Sequence, residues 1–233
     1  MVVTTVTDLV ASTKGSPMNI ARLAARLAVG ATAAAVATTA VAVPAQAGAK
    51  QPGTRSLAAV LTADKSGFDR NSRDFDVLTK AVLTVLQAKP DSPVKVLTDG
   101  TVALTAFVPN DYAFRELVRD ITAARKLPGE KAAFDAVAGL GVDTVEDVLL
   151  YHVVPGATID RKAALKADGA DLTTALGATV EVDVKRCWYG REVRLVDADT
   201  SDRNAKVVRY DINKGNKQIA HAVDRVLRPI DLP

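Results

Sequence analysis

Two histidines and one cysteine are the whole imidazole and thiol inventory of the 233-residue chain. His152 sits in LLYHVVPG at 149–156, among four aliphatic residues. On a surface, its imidazole could serve as a general base or a recognition group. In that apolar setting the residues favour a core ring, which needs a hydrogen-bond partner to offset several kcal/mol in order of magnitude of desolvation. His221 shares strand parity with Ile219 and Val223 and is expected to point inward, and two histidines fall short of a four-ligand zinc set. Cys187 has the parity of Glu181, Asp183 and Lys185, on the outer face and away from a base. It also excludes an intramolecular disulfide. No GxSxG, P-loop or dinucleotide fingerprint occurs. No nucleophile–base–acid set emerges, so the reading is non-enzymatic, with no cofactor and no metal.

Charge offers a second kind of chemistry. Between 185 and 228 lie eleven basic residues against six acidic ones, Arg194 and Arg209 among them. Strands that align them on one face would form an anion-binding surface for polysaccharide or an acidic protein; a soluble sheet face is the alternative. The loop DADTSDRN at 197–204 offers Asp197, Asp199 and Asp202, which could attract calcium. It lacks the turn glycine and closing glutamate of an EF-hand loop, which favours a solvated polar loop.

These residues need elements to position them. Arg22 and Arg26 precede an uncharged run from Leu27 to Val43 and then Ala45-Gln46-Ala47, a small-x-small cleavage pattern. Residues 1–47 are read as a secretory signal, with translation starting at Met18 as a variant; a retained membrane anchor is the alternative. GAKQPGTR at 48–55 reads as a flexible lead-in, and residues 56–230 as one domain. Beyond position 47 the chain carries 27 basic and 26 acidic residues, a balance that argues against a nucleic-acid binder.

Phe75, Leu78, Val82 and Val85 recur at helical spacing, ending before Pro90. KVLTDGTVALTAFVP at 95–109 reads as two strands around an Asp99-Gly100 hairpin turn. Asn110 is placed to cap a helix with Phe114, Leu117, Val118 and Ile121 on its apolar face. GEKAAFDAVAGLG at 129–141 reads as another helix. A further one, capped by Asp143 or Thr144, carries Val145, Val148, Leu149 and His152 on one side, and a short one covers 161–167. The period then changes to two in TVEVDVK at 179–185, with further strands at 192–196, 206–210 and 218–223. Helices first and an antiparallel set afterwards describe an α+β domain.

Three islands, TAFVPNDYAF at 105–114, LLYHVVPG and QIAHAVDRVLRP at 218–229, together and in this order resemble the fasciclin domain. Asn110 stands where that family more often has Thr, and Gly215-Asn216 where it usually has Asn-Gly. The resemblance implies a wedge-shaped β-sandwich with helices packed alongside, exported and used in adhesion or matrix interaction without catalysis. It also implies partner-binding roles for Tyr151 and His152, a pair implicated in integrin binding in animal members, and for Asp211 and Ile212, an Asp-Ile pair of reported adhesion sequences. The structural alternatives are a core histidine and an ordinary strand end.

The resulting expectation is a secreted, extracellular or wall-associated adhesion module. Its partner would be a cell-surface or matrix protein or an anionic polysaccharide, met without nucleic acid or stable membrane insertion. A hydrolase-like enzyme with a small-molecule pocket, or a secreted structural protein without a specific ligand, is the competing class.

Overall fold

The computed structural model describes residues 51–230 apart from Tyr189. The signal read over 1–47 and the start of the lead-in lie outside them. Among the described residues no helix is long and apolar enough to cross a membrane.

The helices come first: α1 (Leu57–Leu61), α2 (Asp76–Ala88), α3 (Asp111–Ile121), α4 (Glu130–Ala138) and α5 (Val142–Tyr151), with a short α6 (Arg161–Ala164) following. Strand β1 (Leu104–Pro109) lies among them, and β2 (Val153–Pro155), β3 (Ala170–Thr173), β4 (Thr179–Cys187), β5 (Gly190–Val196), β6 (Ala205–Ile212) and β7 (Gln218–Val223) complete the set. They form one seven-stranded sheet in the order β2-β1-β7-β6-β5-β4-β3. All neighbours run antiparallel except β1 and β7, which pair in parallel and bring two of the three sequence islands side by side, Phe107 opposite His221.

Strand alternation divides the core. Leu104, Ala106 and Val108 of β1 and Ala220 and Ala222 of β7 face the helices. Phe107 and Val223 face the other way, into a second core with Val180, Val182, Val193, Leu195 and Val207 from β4, β5 and β6. A sheet whose central strands are buried on both faces and whose outer strands curl over a core of their own gives the sandwich-like wedge. Register shifts in β6 between Val207 and Arg209, and again between Arg209 and Ile212, bend that strand from one half of the sheet into the other.

Three sequence readings change. Residues 93–98 form a 3-10 helix, capped by the Ser92 hydroxyl and started by Pro93, instead of the first arm of a hairpin. The amide of Gln218, buried in β7, holds that turn by donating to the carbonyls of Val96 and Asp99, each at 2.8 Å; a partner 119 or more residues away is invisible to local periodicity. Helix α5 starts after Gly141, whose φ of 91° suits glycine, and has no side-chain cap, so neither Asp143 nor Thr144 fills that role. Residues 53–55 are tied down instead of loose. Gly53 N–H donates to the Gly215 carbonyl at 2.7 Å, its own carbonyl accepts from Lys217, and Arg55 N–H donates to Asn216 Oδ1.

Candidate functional site

The two histidines are built alike with opposite tautomers. His152 ends α5 as its C-cap and is buried. Its Nδ1 donates to the Val148 carbonyl at 2.7 Å, and its Nε2 accepts the Leu227 N–H at 2.9 Å. Full burial pulls its pKa down to about 4, so the ring is neutral. His221 Nε2 donates to the Ile159 carbonyl at 2.8 Å, and its Nδ1 accepts the Asp211 N–H at 3.2 Å. Burial lowers its pKa as well. With both nitrogens of each ring bonded to backbone, each imidazole acts as a staple between chain segments.

Tyr151 is fully buried and its hydroxyl donates to the Thr179 carbonyl at 2.9 Å. Ile212 is buried against the helical core. Asp211 has a φ of 62°, a left-handed conformation that Asp tolerates better than most residues. Its carboxylate accepts the Arg161 N–H at the start of α6 and the Lys214 ammonium at 2.6 Å. Thus the Tyr-His and Asp-Ile pairs have their polar groups engaged inside the fold.

Part of the basic set is tied into the fold by ion pairs. Arg225 and Arg228 are buried, and the loop read as solvated carries their partners. Arg228 donates to Asp199 at 3.1 Å and lies 3.4 Å from Asp202, while its backbone N–H donates to Asp197. Arg225 donates to Asp120 at 3.0 Å and reaches Glu116 at 3.5 Å; Arg119 also pairs with Glu116. The aspartates at 197, 199 and 202 are therefore not a solvated loop: guanidinium groups neutralise Asp199 and Asp202, and Asp197 accepts the Arg228 N–H. Burial still pushes Asp197 up to about 6. Arg194 is held by buried Glu192 at 2.6 Å, together with Lys206 at 2.7 Å. Lys214 belongs to Asp211.

Arg209 differs, being exposed and in no ion pair among the described residues. It lines an open groove of about 660 Å³ with Arg73, Tyr112, Val208 and Asp224. Tyr112 and Val208 are exposed apolar side chains. The β6 bulge turns Val208 outward, and Asn110, whose side chain accepts the Ala113 N–H, starts α3 at the groove wall. Arg73 stood out in no sequence pattern and Tyr112 only as part of the first island, since the groove joins a loop, a helix start and a bulge.

Behind this wall lie five carboxylates. Asp111, fully buried, accepts the Asp76 and Val77 N–H groups at 3.1 and 2.9 Å and so caps α2 across more than thirty residues of chain. Its neighbours are Asp74 and Asp76, with Asp69 and Glu130 on the other side of Asp76. Burial, then the Asp74 carboxyl, pushes Asp111 up to about 8. Burial, with repulsion from Asp74 next, pushes Asp76 up to about 6. Asp111 carries no local sequence mark beyond its place after Asn110, because its neighbours come from separate segments.

The fasciclin domain family model matches residues 78–229. Among solved structures, the FAS1 domain pair of the insect cell adhesion molecule fasciclin I superposes with a TM-score of 0.52 at 15% identity, covering 76% of this chain. The chain spans about half, 51%, of the length of that structure. No curated protein matches. The shared fold agrees with the parallel β1–β7 pair and the helical layer, and the family match covers most of the domain: the chain belongs to the fasciclin domain family.

Proposed function

We propose that this fasciclin domain is an exported, non-catalytic adhesion or surface-interaction module, and that its groove takes an anionic polysaccharide. The observation that carries this reading is the pairing of two exposed arginines without ion-pair partners among the described residues, Arg73 and Arg209, with exposed Tyr112 along one groove. An aromatic face offers a sugar ring apolar contact, and guanidinium groups give bidentate hydrogen bonds to carboxylate or sulfate. The non-catalytic reading draws support from the histidines, whose ring nitrogens are all engaged with backbone. The adhesion role of the fasciclin I molecule supports the class of function.

The test is binding of the chain to an immobilised anionic polysaccharide at low and high salt, with Arg209→Glu and Arg73→Glu. Binding should weaken as salt rises, because exposed charges are screened over about 8–10 Å at physiological ionic strength, and each reversal should mimic salt. Salt-insensitive binding that both variants retain would refute the groove. Export is checked by N-terminal sequencing of protein from culture fluid, which should begin at Gly48; intact protein confined to the cytosol would count against it.

A further inference from the structure

We propose that Asp69, Asp76 and Glu130 form a binding site for one divalent cation of the calcium class, with the Asp74 and Asp111 carboxyl groups beside it. The carboxylate oxygens of the three lie within 4.8 Å of one another, as do those of Asp74, Asp76 and Asp111. Small side-chain rotations bring such oxygens to about 2.4 Å from a common centre, the calcium–oxygen distance; magnesium needs about 2.1 Å and a stricter octahedron.

Acidic residues are often close without holding an ion, but here the oxygens are buried and unanswered. Asp76 is 8% exposed and Glu130 3% exposed, and Asp76 Oδ2, Glu130 Oε1 and Asp74 Oδ1 have no hydrogen-bond partner. None of the five carboxylates forms an ion pair among the described residues. Arg115, the nearby cation, is committed elsewhere, to the Ser72 hydroxyl and to the Pro128 carbonyl at 2.6 Å. A buried carboxylate oxygen facing only other carboxylates loses its hydration with nothing in return, which a hard cation would supply. Asp69 is exposed, and its Oδ1 already accepts the Asn71 N–H, so it forms the solvent-side lip through which an ion would pass. Glu130 Oε2 accepts the Asp69 N–H at 2.7 Å, which leaves Oε1 as the inward ligand atom. The ion would tie the 69–76 loop to α4, and that loop supplies Ser72 and Arg73 to the groove wall.

The experiment uses the 233-residue chain, stripped with chelator and then given calcium chloride, magnesium chloride or sodium chloride at matched ionic strength. Calorimetry should register about one calcium bound, with an affinity in the 10⁻⁴–10⁻³ M range of extracellular sites. At about 5 mM, calcium should raise Tm by about 5 °C and magnesium by less. Asp76→Asn and Glu130→Gln should each abolish the calcium shift, and Asp76→Asn in chelator should melt at or above the parent. Absence of calcium binding to the parent overturns the site even if a variant fails to fold. A calcium shift that survives in both variants overturns it too, since the ion would then bind elsewhere.

Discussion

Helix α3 carries a buried carboxylate group at each end, and the two are solved differently. At its C-terminal end Glu116 and Asp120 meet Asp199 and Asp202 across Arg225 and Arg228. At its N-terminal end Asp111 meets Asp74 and Asp76, and backbone N–H groups of α2 answer it. Both ends incur desolvation. Among the described residues only the first pairs its carboxylates with cations of the chain. The positive end of α2 favours Asp111, but a helix dipole contributes about 0.3–2 kcal/mol, less than burying several like charges costs. One end is therefore a closed structural lock joining α3, the 197–202 loop and the segment after β7. The other is an acidic socket whose charge requires protons or an ion from outside.

The strongest way to break this contrast is to remove a cation from the lock. Arg228→Met should lower the unfolding free energy by about 3–5 kcal/mol in urea titration, since Asp199 is left buried without its partner. Adding Asp199→Leu should recover much of that loss, because replacing both charges restores apolar packing without an orphan. A loss below about 1 kcal/mol for Arg228→Met would mean that Asp120 and Asp202 tolerate burial without it, and the lock would then resemble the socket.

Acid attacks the same lock through its neighbour. His152 accepts the N–H of Leu227, the residue before Arg228, so a proton on Nε2 would set donor against donor there. The folded pKa of about 4 lies below the ordinary value of 6.5, so the unfolded chain binds the proton more readily. The His152 contribution is thus fully present above pH 6.5 and is lost as pH falls towards 4, by about 3 kcal/mol over the window. Urea midpoints of the parent and His152→Gln between pH 7.5 and 4.5 check this. Their difference in stability should shrink as pH falls, and a constant difference would show that the ring is not the acid-sensitive element.

What the sequence made legible follows from range. Helices α2 to α5 and strands β4 to β7 announce themselves by periodicity, and Asn110 by its place before an apolar run, because each signal lies within a few residues. Parity correctly sent His221 inward. The 93–98 turn failed as a strand because β-branched residues fit either state and Gln218, far along the chain, decides. The 197–202 loop failed more instructively: three aspartates next to Ser and Asn look solvated, and only Arg225 and Arg228, nearly thirty residues on, make burial possible. Summing charge over 185–228 treated paired and unpaired residues as equals. The socket left no local mark at all, since its five carboxylates come from one loop and the starts of three helices.

The smallest effect is the most selective, and it separates a cation that holds the fold from one that faces outward. Arg194 and Arg209 looked equivalent in the sequence. Arg194 Nε and Nη2 both donate to Glu192 Oε1, at 2.8 and 2.6 Å, and Glu192 is buried. A glutamate at 194 would place a second carboxylate against the first, beside Lys206. Arg194→Glu should therefore cost about 1–2 kcal/mol, less than Arg228→Met because Arg194 is 44% exposed and water screens the repulsion. Arg209 forms no ion pair among the described residues, so Arg209→Glu should change stability by less than about 0.5 kcal/mol. Polysaccharide binding should respond in the opposite order, with Arg209→Glu the more damaging at low salt. If Arg209→Glu proves the more destabilising in urea, the groove arginine is part of the fold and the charge reversal no longer isolates recognition. If instead both proteins melt as expected and bind alike, the groove is not where the anion sits.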